Sequence, residues 1–208
     1  MDIALGTDSS DYDLFREAAA QMPLGPYLAI EIGIREGGSL SMLMQSIAQR
    51  QEEERNEMYV VGVDRYGGLA QQHSETQSMV LDYTNSMRNR AISSLYQIAE
   101  HLKVNWAFYN MDDDDFIDLL DINGVPVFQN GKKTFYTDIA FCHFDGPHHS
   151  EMVLNEVVGI EFFAVDGAVF VFDDIPLFDM EPTLKYLAEH GWQELKRGTN
   201  KLAMVKRS

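Results

Sequence analysis

The run Tyr27–Ser39 (YLAIEIGIREGGS) constrains this chain more than any other stretch. It reads as an apolar strand, an acidic turn rich in glycine, and the first turn of a helix. Gly33, Gly37 and Gly38 carry no Cβ, so a ligand can come close to the backbone there. The helix that follows aims unpaired N–H groups at the same point. An α/β protein builds a nucleotide or nucleoside pocket in this way after its first strand.

The remaining pattern alternates strands and helices, which predicts a mostly parallel, doubly wound α/β sheet with helices on both faces. An opening helix is expected over 11–22, capped by Ser10 or Asp11 and stopped by Gly25-Pro26. Strands are expected at 27–32, 58–63, 104–109, 138–144 and 168–172, and helices at 38–54, 112–120, 149–163 and 182–190. Residues 65–73 read as a loop and 74–101 as a long helical region, and the segment 65–103 that contains them, chiefly 67–101, is expected to supply a lid over the site. Two hairpins are expected. One spans 124–136 around Asn130-Gly131, and a closing antiparallel pair covers 192–196 and 201–206.

At 208 residues the chain makes one domain with a sizeable core. No apolar run is long enough for a membrane span, and the first residues lack the basic and apolar regions of a signal peptide. Cys142, the single cysteine, excludes an internal disulfide and fits a reducing, cytoplasmic setting. The net charge of −17 repels nucleic acid and anionic membranes. The basic residues Lys196, Arg197, Lys201, Lys206 and Arg207 are expected on a solvated surface of the last hairpin.

The spacing of the first turn narrows the ligand. A dinucleotide turn places its second glycine beside a pyrophosphate; here Arg35 holds that position, and Glu31 adds a carboxylate at the strand end. A nucleoside with a cationic tail suits these residues, and S-adenosylmethionine is one. The run resembles motif I of class I S-adenosylmethionine-dependent methyltransferases. That resemblance implies a seven-stranded Rossmann-like sheet with an antiparallel C-terminal strand. Glu31, Gly33, Arg35, Gly37, Gly38 and Ser39 would line the methionine end. Asp64, ending strand two, could accept hydrogen bonds from a ribose diol, and Asn110, Met111 and Asp112 would meet the adenine.

Two further strand ends carry carboxylates: Asp145-Gly146-Pro147-His148 and Asp173-Asp174. Three acids in one place call for a cation or protons, and hard oxygen ligands suit Mg²⁺. This pair of motifs is similar to that of sugar and macrolide O-methyltransferases of the macrocin type, within the wider methyltransferase 24 family. The resemblance implies metal ligation by Asp145, Asp173 and Asp174, with His148 as general base. Pro147 departs from the family's usual polar residue. His143, inside the fourth strand, is expected in a satisfied core or sheet-face role. The expected function is O-methylation of a small polyhydroxylated, sugar-like acceptor, with a homo-oligomer in keeping. The alternative is a protein of this fold that binds S-adenosylmethionine or a nucleoside without O-methyl transfer.

Overall fold

The computed structural model describes residues 5–6, 9–50, 57–66, 68–73, 78–129 and 131–207. Eleven strands and six α-helices are distinguished among them. The strands are β1 Leu28–Ile32, β2 Tyr59–Val63, β3 Gly68–His73, β4 Ser78–Tyr83, β5 Asn105–Tyr109, β6 Val125–Gln129, β7 Lys132–Tyr136, β8 Ile139–Phe144, β9 Ala164–Phe172, β10 Trp192–Arg197 and β11 Leu202–Lys206. The helices are α1 Tyr12–Ala19, α2 Gly38–Ala48, α3 Asn85–Leu102, α4 Asp113–Asn123, α5 Ser150–Glu161 and α6 Glu181–Glu189.

Seven strands form one sheet in the order β10-β11-β9-β8-β1-β2-β5. The pairs from β9 to β5 are parallel, and β11 runs antiparallel to both β9 and β10. The doubly wound sheet with an antiparallel C-terminal strand is therefore as the sequence predicts. β1 and β8 are buried throughout because each lies between two strands and two helical layers. Leu28, Ile30 and Ile32 of β1 join one core with Phe116 of α4, Val157 of α5 and Leu187 of α6. Ala29 joins the other, with Phe15 of α1, Leu43 of α2 and Leu95 of α3. The period-two alternation of β1 then sends Glu31, fully buried, to the α1–α2 side.

Several boundaries differ from the sequence reading. The segment read as a loop and a long helix contains the β3–β4 antiparallel hairpin, and α3 begins only at Asn85. Thr84 caps it, accepting the Met87 N–H at 3.1 Å, and this cap leaves the preceding residues free to pair as strands. β9 begins at Ala164 instead of Ala168. Gly167, with φ of 78°, is absorbed in an irregularity where the β8–β9 register shifts. α1 starts after Asp11, whose φ is 60° and whose carboxylate is used elsewhere. The expected extension of α2 to Glu54 runs into residues 51–56, outside the described residues, as do Gly67 and Asn130. The inserted hairpin appears as β6–β7, with Val125 and Val127 in the core. No described helix is long and apolar enough to cross a membrane.

The closing hairpin is tied down by Trp192. Its ring stacks on Phe170 at 4.0 Å between centroids, and its Nε1 donates to Glu161 at 3.1 Å. Trp192→Ala is expected to cost about 3–5 kcal/mol, read as a lower midpoint in urea unfolding.

Candidate functional site

The turn after β1 is shaped by two left-handed glycines and one strained arginine. Gly33 has φ of 85° and Gly37 84°, while Arg35 sits at 42°. A Cβ on Gly33 would overlap the backbone carbonyl of Asp145, so the glycine is required where the ends of β1 and β8 meet. The Arg35 conformation is held from both sides. Its N–H donates to Asp64 Oδ2 at 2.7 Å, and its carbonyl accepts the Tyr66 hydroxyl. Glu31 accepts the Ser39 hydroxyl at 2.5 Å, fixing the first turn of α2 to the strand.

Asp64 is buried beside this turn, and burial pushes its carboxyl up to about 6, against the opposing backbone N–H groups of Arg35, Ile34 and Arg65. Glu31, Gly33, Arg35, Gly37, Gly38, Ser39 and Asp64, the residues expected to line the methionine end and the ribose, lie around this one turn. Asn110, Met111 and Asp112 follow β5 at the neighbouring strand end. Met111 packs on the core, Asn110 is exposed, and Asp112 pairs with Arg65 at 3.1 Å without capping α4.

The ends of β8 and β9 carry the second half of the site. His148 is 5% exposed. Its Nε2 lies 4.0 Å from Asp145 Oδ1 and 3.7 Å from Asp174 Oδ2, and its ring stacks on Phe178. Burial holds His148 below the usual imidazole range, with Asp173 opposing. Asp145 is driven well above the carboxylate range by burial and by the nearby Asp173. Asp174, left-handed at φ of 48°, is raised by the same two causes. Asp173 behaves oppositely: burial pushes it up, but His143 and Lys201 outweigh burial and its carboxyl is lowered.

Lys201 is the residue the sequence reading misplaced. It is fully buried, 0% exposed, and pairs with Asp173 Oδ2. Its Nζ also donates to Ser9 Oγ at 3.3 Å and lies 4.7 Å from the centroid of the Tyr12 ring. Its signal was the β9–β11 register: Leu202 faces Phe172, so the preceding residue falls beside Asp173. Lys206 is likewise engaged, with Glu161 at 2.9 Å.

His143 is also not the satisfied residue expected. It is fully buried, with neither ring nitrogen in a hydrogen bond among the described residues. Its Nδ1 lies 3.6 Å from Glu31 Oε2, and the Phe15 ring meets it edge-on. Glu31, His143 and Asp145 each offer a ligand atom, all within 4.8 Å of one another.

Asp145, Asp173 and Asp174, the carboxylates expected to hold Mg²⁺, share one neighbourhood but as a trio do not fit an ion, because Asp173 is already engaged. Asp173 Oδ1 accepts Ser9 Oγ at 2.8 Å and the Asp174 N–H at 2.7 Å, and Oδ2 faces Lys201. Asp145 and Asp174 flank the His148 ring nitrogen rather than an open centre.

A family model described as a methyltransferase domain matches residues 30–175. Among solved structures, the chain is similar to the calicheamicin methyltransferase CalS11. The TM-score is 0.63 at 13% identity, over 93% of this chain and 76% of that one. It is also similar to the O-methyltransferase TomG from Streptomyces achromogenes, solved with S-adenosylmethionine. There the TM-score is 0.55 at 14% identity, over 95% and 82%. An rRNA methylase from Streptococcus thermophilus gives 0.51 at 9% identity, over 98% and 100%. These likenesses show the fold. No curated protein matches the sequence.

Gly33→Ala tests the close approach on which the turn depends. Left-handed strain and overlap with the Asp145 carbonyl together are expected to destabilise the fold by about 2–4 kcal/mol, read by thermal melting.

Proposed function

Because the chain belongs to this methyltransferase-domain family, we propose that it is an S-adenosylmethionine-dependent O-methyltransferase acting on a small hydroxylated, sugar-like acceptor. One observation carries the reading. A buried histidine, His148, stands at the mouth of β8 within 4.0 Å of two strand-end carboxylates, beside a glycine turn lined by Glu31 and Asp64.

S-adenosylmethionine supplies an electrophilic methyl group on a sulfonium. The Glu31–Ser39 turn would hold its methionine end, where the buried Glu31 carboxylate and the start of α2 define the polarity. Asp64 would accept the ribose hydroxyls through the lone pairs not given to Arg35. Asn110, Met111 and Asp112 would border the adenine. His148, held neutral by burial, would accept the proton of the acceptor hydroxyl as that oxygen takes the methyl group. The chain's main contribution is placement of these groups in a dry site. No step is assigned to a divalent ion, since Asp173 is already engaged.

The likeness to TomG, solved with S-adenosylmethionine, supports the cofactor, and that to the calicheamicin methyltransferase supports a small acceptor. A second reading is transfer to another atom, or binding without transfer. The fold likeness to an rRNA methylase favours it, whereas the net charge of −17 opposes a nucleic-acid substrate.

Titration calorimetry with S-adenosylhomocysteine tests the pocket. Binding is expected to weaken as pH falls through about 6, where Asp64 takes up its proton. Asp64→Asn is expected to lose roughly 10–100-fold in affinity, the value of hydrogen bonds to a charged group, and to flatten that dependence. Absence of binding would remove the proposal.

Transfer from labelled S-adenosylmethionine to a panel of sugar nucleotides and phenols tests the base. His148→Gln is expected to lower kcat by about 10²–10⁴-fold while leaving S-adenosylhomocysteine affinity unchanged. The base is active when neutral, which is above its pKa. That pKa is lowered, so the wild-type rate is expected to stay flat through neutral pH and to fall only below the usual imidazole range. Binding without turnover on any acceptor would favour the second reading.

A further inference from the structure

We propose that the ammonium of Lys201 is the resident cation of the acid cluster at the ends of β8 and β9, in place of a divalent metal ion. Its bearing on methyl transfer rests on the function proposed above. Its bearing on metal binding does not.

The chain topology puts the lysine there. β11 runs antiparallel to β9 with Leu202 opposite Phe172, so Lys201 and Asp173 are the next pair beyond the ladder. The Asp11 carboxylate accepts the backbone N–H groups of Asn200 at 2.7 Å and Lys201 at 3.3 Å. The Ile175 N–H donates to the Asn200 carbonyl at 3.0 Å. The lysine backbone is thus fixed from both sides before its side chain enters the core.

The surroundings of Nζ are those an ammonium wants. It has three donors and no acceptor, and it finds the Asp173 carboxylate, the Ser9 hydroxyl and the face of Tyr12. Both partners of the ion pair are sealed from water, at 0% and 1% side-chain exposure. A buried carboxylate needs such a partner.

The same contacts leave little for a hard metal ion. Such an ion collects several oxygen ligands, but Asp173 Oδ1 already accepts two hydrogen bonds and Oδ2 faces the lysine.

Mn²⁺ titration followed by electron paramagnetic resonance tests this on the full chain. The wild-type protein is expected to take no stoichiometric Mn²⁺. Lys201→Ala, checked for folding by circular dichroism, is expected to gain one site that the added change Asp173→Asn removes. A stoichiometric Mn²⁺ in the wild type would overturn the proposal, as would a folded Lys201→Ala protein that gains none. If Lys201→Ala does not fold, the wild-type titration decides alone. S-adenosylhomocysteine titration of the same wild-type sample reports separately on the functional reading.

Discussion

The ion pair between Lys201 and Asp173 is the interaction on which the rest of the site depends. It joins three parts of the chain that are far apart in sequence: the end of β9, the closing hairpin and the residues before α1. Two opposite charges sealed from water are costly unless their remaining donors and acceptors are filled. Ser9 fills one place on each partner, and the Asp174 N–H fills another on Asp173. Removing either charge alone would leave the other buried and uncompensated, a loss of about 3–5 kcal/mol for pairs of this kind. The Asp174 N–H on Asp173 also ties the backbone of Asp174 to the pair.

This arrangement sorts the acids by environment. Asp173 is lowered because two basic neighbours outweigh burial, while Asp145 and Asp174 are raised by burial and by Asp173 itself. Neighbouring acids whose pKa values are pushed apart can serve different ends. The charge of Asp173 is committed to structure. Asp145 and Asp174 remain the groups within 4.0 Å of His148. On the other flank, Asp64 is raised to about 6 although it accepts from the Arg35 N–H. Burial wins there because the backbone N–H groups of Arg35, Ile34 and Arg65 together do not replace the water the carboxylate has lost.

How much of this was legible in the sequence follows from the range of each interaction. The strand–turn–helix at Tyr27–Ser39 was readable because its glycines, apolar run and helix start are consecutive. The strand-end acids were readable because parallel strands end at one edge of the sheet. The hairpin β3–β4 was not, because residues 78–83 suit helix or strand and the deciding feature is the cap at Thr84. His143 looked like a satisfied core residue because Glu31 lies across the sheet, visible only through the β1–β8 register. Lys201 was hidden in the same way. Among Lys196, Arg197, Lys206 and Arg207 it reads as one more surface charge, and only the β9–β11 register separates it from them.

The family match covers residues 30–175, and the cation and its supports lie outside that span. Ser9, Asp11 and Tyr12 precede it, and Asn200 and Lys201 follow it. The matched segment brings the glycine turn, Asp64, the Asp145–His148 loop and the two acids after β9. The flanking segments bring the positive charge that meets those acids, together with the hydroxyl and the ring that complete its surroundings. The charge balance of the site is thus set by two pieces of chain packed against each other at the sheet edge. Asp11 is the joint, since its carboxylate holds the Asn200–Lys201 backbone while its own backbone leads into α1. Two proteins sharing the matched segment could therefore present the same strand-end acids and differ in what neutralises them.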